Sequence, residues 1–284
     1  MTLWEQVKQN RLVNLVVTTY DEFGADNGSL LASAVSYNML FSLFPFALAI
    51  ISLAGFVMQS TEFENEVITA VGNLIPVARH MIVNTLNGLI EARAVTGLIA
   101  LVGLIWSATS FCDALRRSLN TAWGITDPVP FLKGKLINVA MVIAAFAVFT
   151  LFVWATTFVR FVHETNITGS SIKILQSTAF SRLLFLVMSS LIAYGVILLL
   201  YRFIPGRRPR WRDIWLGALL STAGFEIIRV GFLWYVKNFA SYNMVYGSVG
   251  TVIALLAFIY FTAWVLLFCA KFSAVRAKLN SGTT

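Results

Sequence analysis

Six stretches of this sequence are apolar for long enough to cross a lipid bilayer, and that restricts the fold more than any other feature. They run roughly 31–58, 94–112, 136–162, 180–203, 214–236 and 248–270. About 20 mostly apolar residues wound as an α-helix match the thickness of the hydrocarbon layer. Backbone in that layer must satisfy its own hydrogen bonds, so continuous apolar runs of this length form helices. Charge is correspondingly scarce: 12% of the residues are charged and 58% are hydrophobic. A soluble domain carries about 25% charged residues. The expected fold is all-α, a polytopic membrane helical bundle of six transmembrane helices. A cytoplasmic N-terminal segment, 1–30, precedes the transmembrane domain at 31–270, and a cytoplasmic tail, 271–284, follows it.

Orientation comes from lysine and arginine, which accumulate in cytoplasmic loops. Fourteen of them fall in the N-terminal segment, the loops after the second and fourth stretches, and the tail. At most six fall in the opposite loops or at span edges there. Both termini are therefore expected in the cytoplasm. The net charge of +8 is concentrated in short loops and suits a membrane surface, not nucleic acid. The first thirty residues hold four acids and no long apolar core, so no cleavable signal peptide is expected. Cys112 and Cys269 lie at the ends of apolar runs and form no disulfide or metal pattern.

Between the first two stretches the sequence is not a bare loop. Phe63, Val67, Ala70, Val71 and Leu74 repeat at helical spacing, as do Met81, Ile82, Leu86, Leu89 and Ile90 after Pro76. Two short amphipathic helices are expected there, either as a surface hairpin or as a lid.

One polar pair stands out. Glu226 and Arg229 lie three residues apart inside the apolar segment 214–236. A lone charge near the bilayer centre costs roughly 2.5–3.5 kcal/mol on insertion scales. At this spacing two opposite charges share a helix face and can pair, which offsets part of that cost. Gly217, Ser221, Gly224 and Gly231 form a separate stripe of small residues suited to close helix packing. Thr222 falls on the face of the charged pair. Such a pair either fixes helix register or forms a substrate or proton site.

The first stretch carries a second polar set. Asn38, Ser42 and Pro45 share one face. Pro45 is expected to kink its helix and release the carbonyl of Phe41. Ordinary helix packing explains these residues; as cavity-lining donors, Asn38 and Ser42 would face Glu226 and Arg229. Asp113 precedes Arg116 and Arg117 by three and four residues and is expected to pair locally. Arg207, Arg208, Arg210 and Arg212 crowd the loop after the fourth stretch and are expected to contact anionic lipid headgroups.

Enzyme chemistry finds little support. The two histidines, His80 and His163, are far apart in sequence, and no metal-ligand cluster accompanies them. There is no phosphate-binding glycine loop and no Gly-x-Ser-x-Gly turn. No catalytic residue, metal or cofactor is expected.

Four segments carry a family resemblance. They are "LFSLFP", "WSATSFCDALRRSLNTAWGI", "YRFIPGRRPRWRDIWLGALLSTAGFE" and "YGSVGTVIALLAFIYFTAWVLLFCAKFSA". In this order they resemble the YihY/virulence factor BrkB family of bacterial inner-membrane proteins, over about residues 28–275. The resemblance implies a six-span protein of the cytoplasmic membrane. Members have been linked to virulence, to serum resistance or to envelope lipid export, and some carry a ribonuclease label. It supplies no catalytic motif, so no site residue is transferred from it. The leading expectation is a secondary transporter or a protein that translocates lipid or another envelope component. Glu226 would respond to protons or cations, and Arg229 would hold it or bind an anionic group. The alternative is a non-transporting protein that organises the envelope, and a membrane-bound ribonuclease ranks last. Expected partners are membrane lipids, with a second copy or envelope proteins beside them.

Overall fold

The computed structural model describes residues 11–58, 93–125, 178–238 and 243–281, with isolated helical positions between 134 and 150. Among the described residues there are six α-helices and no strands. We number them α1 (Arg11–Ala25), α2 (Gly28–Met58), α3 (Arg93–Ala122), α4 (Thr178–Phe203), α5 (Trp211–Asn238) and α6 (Asn243–Ser281). Helices α2 to α6 coincide with five of the six apolar stretches. The third stretch lies mostly outside the described residues, as do both short helices expected before α3.

The helix ends follow from local chemistry. Asn27 sits at φ 54° between α1 and α2, a left-handed conformation that asparagine tolerates. Its carbonyl accepts the amides of Leu30 (2.9 Å) and Leu31 (3.1 Å) as α2 begins. Gly124 closes α3 at φ 64°. There Ile125 N donates to Asn120 O (2.9 Å) and Gly124 N to Thr121 O (3.0 Å), the paired bonds of a Schellman cap. Pro205 and Pro209 keep the α4–α5 connection from continuing as helix. Asp213 in the first turn of α5 complements the helix dipole.

Helix α6 is the centre of the arrangement and packs against α1, α2, α3 and α5, while α4 packs on α5. The core gathers at one end. It joins Phe23 and Ala32 to Leu115 and Leu119 of α3, Tyr201 of α4, Ile214 and Ala218 of α5, and Leu267 and Ala270 of α6. Tyr201 is fully buried, and its hydroxyl donates to Leu266 O at 2.5 Å. Gly206 N donates to Asn120 Oδ1 at 2.8 Å, tying the arginine-rich loop to the end of α3. Among the described residues the densest packing is therefore at the basic end of the bundle.

Away from that end the helices turn apolar surface outward. Two helical segments, Trp211–Val236 and Val252–Asn280, are long and apolar enough to cross a membrane. Only 22% and 28% of their most apolar windows are buried within the chain. A soluble core helix would be covered; these expose Ile227, Val230 and Trp234 on α5 and Ile253 and Phe261 on α6. Shorter apolar stretches lie at Gly28–Leu43 and Val187–Phe203. Contiguous apolar surface of this kind marks contact with lipid or with another protein.

Helix α1 extends the sequence reading, which assigned no structure to residues 1–30. Leu15, Thr19 and Phe23 recur every four residues and are buried. Phe23 meets Trp264 and Phe268 of α6 edge to face, with ring centroids 5.3 and 5.4 Å away. Such pairs add about 0.5–1.5 kcal/mol beyond burial alone.

Candidate functional site

The charged pair of α5 is formed. Arg229 Nη2 lies 2.6 Å from Glu226 Oε2, and the two side chains are 29% and 24% exposed. Ser190 of α4 donates its hydroxyl to Glu226 Oε1 at 2.9 Å. Each carboxylate oxygen thus has a donor, one from its own helix and one from the neighbour. Arg229 Nε is buried and has no hydrogen-bond partner among the described residues. Glu226 lies 15 residues into α5 and Ser190 12 residues into α4. At about 1.5 Å rise per residue, both fall near the middle of their helices.

Ser190 is the residue that sequence reasoning missed. Its signal was the hairpin itself: positions 190 and 226 are equidistant from residue 208, within the α4–α5 connection. In an antiparallel helix pair, equidistant positions stand at the same level.

The polar residues of α2 are not joined to this pair. Asn38 Nδ2 donates to Ala34 O (2.8 Å) and Ser42 Oγ to Met39 O (2.8 Å), both on their own helix. Among the described residues no hydrogen bond links either to Glu226 or Arg229. The reason is topological: α6 packs against both α2 and α5. Thr222 is buried one turn before Glu226, with its hydroxyl on Ala218 O at 2.8 Å. Pro45 lies within a helix that runs unbroken from Gly28 to Met58, and its side chain is outside the described residues.

The small-residue stripe divides. A Cβ at Gly217 would stand 1.8 Å from Ser273 Oγ and 2.7 Å from Cys269 O. One at Gly224 would stand 2.5 Å from Val265 Cγ1. Ser221 between them is 2% exposed. These three positions let α5 lie close to α6. Gly231 does not join them: among the described residues nothing lies within 4 Å of a Cβ built there. The expected packing role of Gly231 therefore has no contact behind it among the described residues.

At the basic end Arg207, Arg208, Arg210 and Arg212 are all exposed. Arg208 stacks over Phe203, 5.7 Å from the ring centroid. Asp113 pairs with Arg116 at 2.7 Å, as the spacing predicted. Sequence reading took Lys271 as a tail charge facing the cytoplasm. It is 3% exposed, held between Glu22 (2.8 Å) of α1 and Asp26 (2.7 Å) just beyond its end. Among the described residues, no cluster of three histidine, cysteine or acidic side chains could hold a metal ion.

Residues 19–283 match the profile of the family described as Virulence factor BrkB. The ribonuclease-like protein YfkH of Bacillus subtilis is 26% identical, over 91% of this chain and 94% of its own. A UPF0761 membrane protein of Alteromonas mediterranea is 24% identical, over 87% of this chain and 82% of its own. Another, from Chlorobium phaeobacteroides, is 29% identical over 69% of this chain but only 41% of its own length. No solved structure matches.

Proposed function

This chain belongs to the BrkB family of membrane proteins, and we propose that it is a secondary transporter or a translocator of lipid or another envelope component. The observation that carries the reading is the Ser190–Glu226–Arg229 arrangement. An acid and a base stand at mid-helix in one apolar helix, a hydroxyl of the neighbouring helix joins them, and among the described residues Arg229 Nε has no acceptor. In hydrocarbon such groups are expensive, and they recur where a substrate or proton passes. Glu226 is the carboxylate that responds to a proton or cation. Arg229 holds it and offers its free N–H to an anionic group. In this reading the chain crosses the bacterial inner membrane six times with both termini in the cytoplasm. Arg207, Arg208, Arg210 and Arg212 meet anionic headgroups at the cytoplasmic face. Asn38 and Ser42 serve the passage only if α2 moves relative to α6, since their hydrogen bonds are spent on their own helix.

The test uses the full chain reconstituted in phosphatidylglycerol vesicles. It reads both proton leak and the flip of a fluorescent phosphatidylglycerol. Glu226→Gln and Arg229→Met should each lower one of these rates at normal expression. Undiminished rates in both variants would remove the pair from the function.

A second reading, a non-transporting protein that organises the envelope, is favoured by one observation: both Glu226 oxygens already have partners. A satisfied pair can fix helix register and need have no further role. Exchange of the charges, Glu226→Arg with Arg229→Glu, would then leave activity intact. The name of the Bacillus relative raises ribonuclease activity as a third reading, which RNA cleavage by a clean preparation would support.

A further inference from the structure

We propose that Arg276 and Arg202, stacked on Trp215 and Trp211, seat the phosphate of an anionic phospholipid at the α4–α5–α6 end of the bundle. Trp211 and Trp215 are four residues apart on α5 and so occupy one face. Each receives a guanidinium from a different neighbour. Arg202 of α4 lies 5.4 Å from the Trp211 ring centroid, and Arg276 of α6 lies 5.7 Å from that of Trp215. Two planar cations from two helices are thereby set along one strip. Among the described residues neither has a counter-charge. Arg202 donates to the neutral carbonyl of Pro209. Arg276 makes no hydrogen bond or ion pair among the described residues, and its Nη1 is buried without a partner. Asp213, in the same first turn of α5, pairs with neither among the described residues.

A partly buried guanidinium with no anion is costly unless one arrives. The fork of an arginine matches a phosphate in two parallel hydrogen bonds, and stacking on tryptophan holds the fork in place. The two rings are 48% and 44% exposed, as amphipathic aromatics at headgroup level are. What selects a lipid over a soluble acidic peptide is the wall beside the cations. Leu199 and Phe203 of α4 and Leu219 of α5 are exposed there, so apolar surface continues along both helices where acyl chains would lie. These residues differ from the loop arginines, which sequence alone could assign to headgroups. The inference rests on α5 spanning the membrane and is independent of the Glu226 site.

The test is native mass spectrometry of the full chain, released from vesicles containing equal phosphatidylglycerol and phosphatidylcholine. Retention should favour phosphatidylglycerol. Arg276→Gln should lower that preference by about tenfold, the value of one charge-assisted hydrogen bond. Arg117→Gln, which removes an exposed arginine of α3, should change it by less than about twofold. Should Arg276→Gln fail to fold, Arg276→Lys decides: it keeps the charge, loses the fork, and should cost about threefold. Three outcomes would overturn the proposal. Arg276→Gln and Arg276→Lys could keep the full preference. Arg117→Gln could lose as much, marking a diffuse field only. Inorganic phosphate alone could displace the lipid at equal concentration, making free phosphate the occupant. Glu226→Gln should keep lipid retention whatever it does to transport, so the two proposals fail separately.

Discussion

Lys271 Nζ lies 2.7 Å from Asp26 Oδ2 and so joins two residues 245 positions apart. Glu22, one helical turn earlier, reaches the same ammonium at 2.8 Å and takes Lys278 at 3.0 Å. Glu22 of α1 and Asp26 in the turn after it therefore meet two lysines on α6. This contact, with the Phe23–Trp264–Phe268 cluster beside it, holds the N-terminal helix on the bundle.

Removing the ammonium should loosen α1. Breaking a fully buried ion pair costs about 3–5 kcal/mol. Here the lysine is buried, but Glu22 and Asp26 are 32% and 29% exposed, so water relieves part of the loss. Lys271→Met should destabilise the fold by about 2 kcal/mol. Protease cleavage within residues 11–27 should rise before the rest of the chain unfolds. Unchanged cleavage would show that the aromatic contacts suffice.

The same contact should depend on pH. Burial alone would raise the pKa of Glu22, but hydrogen bonds and charge from Lys271 and Lys278 outweigh it and lower the pKa below its ordinary 4.5. A lowered folded-state pKa means the contribution is complete above pH 4.5 and is lost as pH falls through the lower folded value. Hydrogen exchange along α1 should accelerate below about pH 4.5 in the native protein and show no such step in Glu22→Gln.

Gly217 and Gly231 should respond oppositely to one added methyl group. At Gly217 it would collide with Ser273 Oγ and Cys269 O, and backbone cannot move aside. Gly217→Ala should cost about 1–3 kcal/mol through overpacking. At Gly231 it meets nothing within 4 Å among the described residues, and alanine is the better helix former by up to about 1 kcal/mol. Thermal unfolding in one detergent compares them, and a Gly217→Ala protein as stable as the parent would refute the close approach of α5 to α6.

Ser190→Ala deletes the donor that α4 gives Glu226 Oε1. A hydrogen bond to a charged group is worth about 1.5–3 kcal/mol, so stability should fall by about that much. The double variant with Glu226→Gln should lose less than the sum of the two single changes, because both remove one interaction. Additive losses would mean that the hydroxyl and the carboxylate act apart.

Much of the helix pattern was legible before any coordinates. Apolar length located α2 to α6 to within a few residues at most ends, and a spacing of three located both Asp113–Arg116 and Glu226–Arg229. The Gly217, Ser221 and Gly224 stripe was legible for the same reason, since helical geometry alone puts these residues in line. Contacts between helices were less legible. Asn38 and Ser42 looked like partners of Glu226 because both sets are polar and set in apolar helices, yet polarity does not say which helix stands beside which.

Apolar run length determined by itself that this protein is built of long helices suited to a membrane. Hydrocarbon leaves a backbone few other ways to satisfy its hydrogen bonds. Tertiary structure alone decided that Ser190 completes the Glu226 pair, that Lys271 is a buried clamp, and that Arg276 leans on Trp215. Each depends on the order in which helices pack around α6. Local periodicity fixes which face of a helix is polar, whereas only packing over hundreds of residues decides what that face meets.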